Sequence, residues 1–290
     1  MFPFIVSVKN MNNILDADII KKIHELPALS AVVTELLSSI DHEEIDVDSI
    51  ATKISHDQAL TAKTLRLANS SFYGMQHKIN SIQEAIAILG FRSVRTLITT
   101  TAITGSFARG HTSRFNFQSF WRHSIATAVC AKQLASHVKA NQDYAFTAGL
   151  LHDIGKLVLV TRYTEQYEQV MLQRAEQDSY ILDAERAILT TDHAAVGKVL
   201  TAYWKFPEDM QNAVAHHHDI DQANEGMLTA IVHIADILTH ALDLSEDEEA
   251  LVPVISCSAW DKLRLTQEIS AKVFRETEKQ FEEICQILIN

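Results

Sequence analysis

The spacing of apolar positions predicts helices throughout, short ones first and longer ones later. In "LSAVVTELLSSI", Leu29, Val32, Val33, Leu36, Leu37 and Ile40 recur three and four residues apart, the stripe of one helix face. "DVDSIATKI" predicts a second helix with Asp48 as its N-cap. "DQALTAKTLRLANSSFYG" reads as a helix stopped by its Asn-Ser-Ser cluster and Gly74. "NSIQEAIAILG" opens with Ser81 and Glu84 in capping-box spacing and breaks at Gly90, and "FRSVRTLITTTAI" begins another helix. The stretch from Gly105 to Asn116 has little periodicity and reads as a seam. Beyond it, helices are predicted over about Phe117–Ala140, Tyr144–Val160, Glu165–Gln177, from an N-cap at Asp192, and over Glu208–His218 and Met227–Leu242. The acidic "DLSEDEEA" reads as a solvated loop. Thr266–Leu288 carries Ile269, Val273, Phe281, Ile284 and Leu288 near helical spacing, a closing helix better explained by packing than by a dimer contact. The division expected is an N-terminal helical subdomain, 1–107, and a larger helical body, 108–290.

Composition agrees. Only 8 Gly and 4 Pro occur in 290 residues, with 47% hydrophobic and 21% charged positions, a globular and almost wholly helical chain. A net charge of −12 argues against a broad nucleic-acid-binding surface. Cys130, Cys257 and Cys285 are scattered, so neither a disulfide framework nor a zinc ribbon is indicated. "MFPFIVSVKN" is too short for a signal peptide and no apolar run reaches membrane-spanning length, so a soluble, cytoplasmic protein with no membrane contact is expected.

The candidate chemistry lies in the histidines. The chain has 14, and His123, His152, His193, His216, His217, His218 and His233 fall on or beside the helices of the second part. "AGLLHDIGKLVLV" sets His152 and Asp153 in an apolar run, where polar groups are costly unless used. Lys156 follows four residues after His152 and three after Asp153, over the same helix face. Imidazoles and carboxylates directed inward from facing helices suit divalent metals. The ordered candidates are His123, then His152 and Asp153, then His193, then His217 and His218, then Asp236. His233 and His240 flank Asp236 at helical spacing, and His233 is read as a further ligand or a partner that orients Asp236. His24, His42, His56, His77, His111 and His137 read as surface residues. "HHHD" alone could be a solvated helix end, and it is the ordered set that carries the signal.

These residues carry a resemblance. "HDIGK", preceded by "FWRHS" and followed by "HIADI", resembles the HD superfamily of metal-dependent phosphohydrolases. "LPALSAVVTELLSSI", "ISHDQALTAKTLRLANSSFYG", "INSIQEAIAILGFRSVRTL", "FWRHSIATA", "GLLHDIGKLVL" and "DHAAVGKVLTAYWKFPEDMQNAVAHHHD" are similar, in order, to the HDOD domain of bacterial signalling proteins. The resemblance implies an all-α fold, an HD-like multi-helix bundle with an N-terminal helical subdomain, and a bacterial regulatory role. Carried over residue by residue, the HD core implies His123, His152, Asp153 and Asp236 as ligands. The neighbouring HD-GYP pattern adds Lys156, His193, His217 and His218, although no Gly-Tyr-Pro segment follows "HHHD". The cofactor implied is one or two divalent transition-metal ions (Fe, Mn or Zn), with Asp153 bridging. Asp153 and Lys156 would then act in catalysis on a phosphate ester or nucleotide. Many HDOD domains are non-catalytic output modules that bind signalling partners, which is the alternative.

"LRLANSSFYG" has a structural reading, in which Asn69 and Ser70 cap a helix, Gly74 takes positive φ, and Phe72 and Tyr73 fill the seam. The lesser alternative is an anionic ligand or nucleic acid at Lys63, Arg66, Lys78, Arg92 and Arg95, with the helix break at Gly90 passing for a helix-turn-helix.

Overall fold

Helix follows helix along the whole described chain. The computed structural model describes residues 19, 21–23, 31–38, 47–107, 114–223, 226–247 and 251–289, with sixteen helices and no strand among them. The fold is all-α, as the apolar periodicity predicts. The first five helices are α1 (Ala31–Ser38), α2 (Val47–Ser55), α3 (Gln58–Ala68), α4 (Ile82–Leu89) and α5 (Phe91–Phe107). Then come α6 (Phe117–His137), α7 (Gln142–Leu151), α8 (Ile154–Arg162), α9 (Thr164–Gln177), α10 (Ile181–Leu189), α11 (His193–Tyr203) and α12 (Glu208–His216). The last four are α13 (Ile220–Ala223), α14 (Met227–Ala241), α15 (Cys257–Lys262) and α16 (Gln267–Leu288). None is long and apolar enough to cross a membrane.

Local chemistry sets many boundaries. Asp57 caps α3 by accepting from the Leu60 N–H, and Asp192 caps α11 by accepting from Ala195. Ser81 accepts from Glu84 N at 3.0 Å, while Glu84 reaches back to Asn80 N rather than to the cap residue itself. Gly90 ends α4 at φ 84°. Asp48 stands inside the first turn of α2 and is not its N-cap. The expected Tyr144–Val160 helix is in fact two, α7 and α8, with His152 and Asp153 in the turn between. At the break, His152 Nδ1 donates at 2.7 Å to the carbonyl of Gly149, the acceptor that a continuing helix would offer to the Asp153 N–H. Neither α10 nor α15 was expected from the sequence pattern.

α6 is the axis of the body, with α7, α14 and α16 packed along it and Ile125, Ala128, Val129 and Leu134 buried. α16 closes the body, with Phe281, Ile284 and Leu288 buried and Arg122 paired to Glu282 at 2.7 Å. It also touches α3 and α5 and so ties the first helices to the rest. There Ser71 bonds Glu283 through its backbone N–H and hydroxyl. The Asn69 amide donates to Leu65 O and Ile79 O and accepts from Ile79 N, Gly74 has φ 59°, and Phe72 is buried. These contacts favour the structural reading of "LRLANSSFYG". The "DLSEDEEA" segment is more than a solvated loop: Glu246 pairs with Arg122 and Asp247 with Arg174. Residues 248–250, half of the seam (108–113), and His24, His42 and His111 lie outside the described residues. His56, His77 and His137 are exposed.

Candidate metal centre

Helix ends and one broken helix gather the candidate residues. α6 supplies His123, the α7–α8 turn His152 and Asp153, the start of α11 His193, the end of α12 His217 and His218, and α14 Asp236. His123 Nε2 lies 3.1 Å from His152 Nε2, 3.0 Å from Asp236 Oδ1 and 3.7 Å from Asp153 Oδ2. On the other side of Asp153, Oδ1 lies 3.1 Å from His193 Nε2 and 3.7 Å from His217 Nε2, and His193 Nε2 is 3.0 Å from His218 Nε2. Asp153 thus faces two groups of imidazoles with its two oxygens. Lys156 Nζ closes on Oδ2 at 2.6 Å.

The donors fit a metal ion in spacing and in chemistry. Ion–ligand bonds of about 2.0–2.2 Å place neighbouring donors roughly 3.0–3.6 Å apart, as between His152 Nε2 and both Asp153 Oδ2 (3.4 Å) and Asp236 Oδ1 (3.6 Å). Asp153, His193, His217 and His218 offer ligand atoms all within 4.8 Å of one another, as do His123, His152 and Asp153. Tautomers are set from behind. His152 Nδ1 donates to Gly149 O and His217 Nδ1 to Val214 O, each at 2.7 Å, which turns Nε2 toward the cluster. His217 Nε2 and Asp236 Oδ2 are buried with no hydrogen-bond partner. Lone pairs in that state are costly unless a cation or donor meets them.

Electrostatics point the same way. Burial favours the neutral acid of Asp153, yet Lys156, His152 and His193 hold its carboxyl well below the usual range. Burial works likewise on Asp236, which His240, His123 and His152 outweigh. Burial would lower His152, but Asp153 and Asp236 push it up to about 10. His193 goes to about 9 because Glu185 and Asp153 overcome burial and Lys156. His217 and His123 fall to about 3 and about 4, burial being the main cause. The carboxylates therefore favour positive charge at the centre of the cluster.

Glu185 is a functional residue that the sequence reading missed. Wholly buried on α10, it accepts from His193 Nδ1 at 2.6 Å, from the His193 backbone N–H at 2.8 Å and from the Tyr167 hydroxyl at 2.9 Å. His233 is neither ligand nor partner to Asp236. Its Nδ1 donates to His217 O at 2.6 Å and its Nε2 accepts from Ser256 N at 3.0 Å, because the residue faces α12 and the α15 cap. His216 is half-buried at the end of α12 and joins none of the donor groups. A cavity of about 610 Å³ opens over the cluster, reaching His123, Asp153, Lys156, His218 and Asp236, with Arg174 and Phe120 in its walls.

The profile of the HDOD domain matches residues 26–220. The chain belongs to the HDOD family. An HDOD domain protein of Geobacter sulfurreducens superposes with a TM-score of 0.79 at 26% identity, over 96% of this chain and 97% of that one. A Shewanella amazonensis structure, whose name suggests a phosphohydrolase, shares the fold at TM-score 0.74 and 23% identity, over 93% and 97% of the two chains. In sequence, an uncharacterized protein of Treponema pallidum (strain Nichols) is 27% identical over 83% of this chain and 47% of its own length. Ribonuclease Y of Aster yellows witches'-broom phytoplasma is 30% identical over 43% of this chain and 18% of its own. This HDOD chain thus spans less than half of either sequence relative.

Proposed function

We propose that this HDOD domain holds a divalent metal centre and hydrolyses phosphate esters in a regulatory setting. The observation that carries the reading is the convergence of buried, unpartnered donor atoms, His217 Nε2 and Asp236 Oδ2, beside Asp153 on a cluster that opens into a cavity. The ligands would be His123, His152 and Asp236 for one ion and His193, His217 and His218 for a second, with Asp153 between them. Ions held there would supply Lewis-acid charge and a bound water of lowered pKa. Lys156, on the cavity side of Asp153, fixes that carboxylate and presents an ammonium to phosphoryl oxygens. Buried Arg174 adds a guanidinium to the cavity wall, and Phe120 and Tyr167 give it apolar surface for an organic group. A nuclease name among the relatives, and a phosphohydrolase name among the structures, support ester hydrolysis over other chemistry.

Metal analysis of the purified chain, followed by a screen of phosphomonoesters, nucleotides and cyclic dinucleotides with Mn or Fe, tests this. Bound metal and turnover that both disappear in Asp153→Ala are expected. Bound metal without turnover would leave a signalling-partner module with a structural metal site. No metal binding, or equal turnover in wild type and Asp153→Ala, would overturn the reading.

A further inference from the structure

The cavity side of the cluster holds another imidazole. His240 lies one turn after Asp236 on α14, and four-residue spacing puts both on one face. Its Nε2 is 3.4 Å from Asp236 Oδ1, and its ring centroid is 4.4 Å from that of His123 at a tilt of 36°. The side chain is only 17% exposed and lines the cavity. His123, Asp236 and His240 each offer a ligand atom within 4.8 Å of the others. Asp236 Oδ2 and His240 Nδ1 are buried without a hydrogen-bond partner. A surface histidine that merely neighbours an acid on its own helix would turn its second nitrogen to water, and this one does not.

Resting on the metal-centre reading above, we infer that His240 is a further protein ligand of the ion beside Asp236. That ion then has His123, His152, His240, Asp153 and Asp236. The other has His193, His217, His218 and the shared Asp153. The imidazole replaces part of the solvent that would reach the first ion from the cavity. The ion near Asp236 is consequently the harder of the two to strip with chelator, since it has one more protein donor.

Cobalt(II) titration of the full chain, with proton NMR in water, provides the test. Imidazole N–H protons on cobalt-bound histidines shift far from the ordinary spectrum and vanish in deuterium oxide, so they count histidine ligands. Loaded wild type is expected to include a shifted resonance from His240. His240→Ala and His240→Gln should each lose one resonance and bind the first ion about 10-fold or more weakly. Circular dichroism of the metal-free variants should match wild type. A folded variant that keeps every shifted resonance and wild-type affinity overturns the inference while leaving the metal centre standing. Wild type that takes up no cobalt brings down the metal centre itself and His240 with it. Should both variants unfold, the wild-type resonance count decides: a set accounted for without His240 refutes the inference, and one more supports it.

Discussion

Glu185 Oε2 accepts two hydrogen bonds from one residue, the ring Nδ1–H of His193 at 2.6 Å and its backbone N–H at 2.8 Å. The carboxylate thereby fixes both the ring orientation and the start of α11, and leaves Nε2 pointing at Asp153. Behind metal-bound histidines, such carboxylates commonly account for about 10–100-fold in metal affinity. Glu185→Gln is expected to weaken binding at the His193 side by that order, read by metal titration. Glu185→Ala should also leave the Tyr167 hydroxyl and His193 unsatisfied, at about 1–3 kcal/mol per buried group. Unchanged affinity in Glu185→Gln would mean that the contact only stabilises the fold.

Gly155, two residues after Asp153, is where α8 crosses α11. A Cβ built there would sit 1.9 Å from His193 O and 2.7 Å from Gly197 N, both backbone atoms that cannot swing away. Gly155→Ala must therefore push apart α8, which Asp153 immediately precedes, and α11, which begins at His193. Overpacking of this kind costs about 1–3 kcal/mol and sometimes more. Urea unfolding should show a loss at or above the top of that range, with reduced metal uptake in whatever folds. Wild-type stability would mean that the helices do not approach this closely.

His233 separates structural from metal-binding histidines. It braces His217 O against the Ser256 N–H and touches no candidate ligand atom. His233→Ala is expected to destabilise the chain by about 1–3 kcal/mol, through two buried backbone groups left unpaired. Metal stoichiometry should stay at the wild-type value. A variant that folds as well as wild type but loses metal would put His233 back among the ligands.

What the sequence disclosed follows from which interactions are local. Apolar residues at three- and four-residue spacing revealed the helices, and Asp192, Ser81 and Gly90 marked their ends, because capping is settled within one turn. His123, His152, Asp153, His193, His217, His218 and Asp236 stood out because ionisable groups within apolar helices are rare. Glu185 did not, since it stands between Asp183 and Arg186 in a charged stretch and its burial comes from Tyr167 and His193 on other helices. The α7–α8 break was equally hidden: apolar residues continue through it, and the side chain-to-backbone bond of His152 that accompanies it has no sequence signature. His233 misled because α14 is buried on several faces, so proximity to Asp236 along the helix does not mean a shared partner.

Lys132 offers a check on how α6 meets the "SSFYG" loop. Its Nζ sits 3.7 Å from the Phe72 ring centroid and 4.3 Å from that of Tyr73. Burial pushes the ammonium down to about 8, against the pull of Asp143 in the other direction. The folded value lies below the ordinary lysine value of 10.5, so between the two the unfolded chain binds more protons than the folded one. Stability must then rise with pH through this window, by at most about 1.4 kcal/mol per unit from one group. The two ring faces favour the charged form and make the slope shallower. Tyr73, whose own value is raised mainly by burial, acts in the opposite sense once unfolded tyrosine ionises near 10.0, which sets the upper limit. Urea unfolding at about pH 7.5 and about pH 9.5 should therefore show wild type gaining stability relative to Lys132→Met. A variant with the same pH slope as wild type would show that Lys132 keeps its charge in the folded state, held by the rings and Asp143 against desolvation.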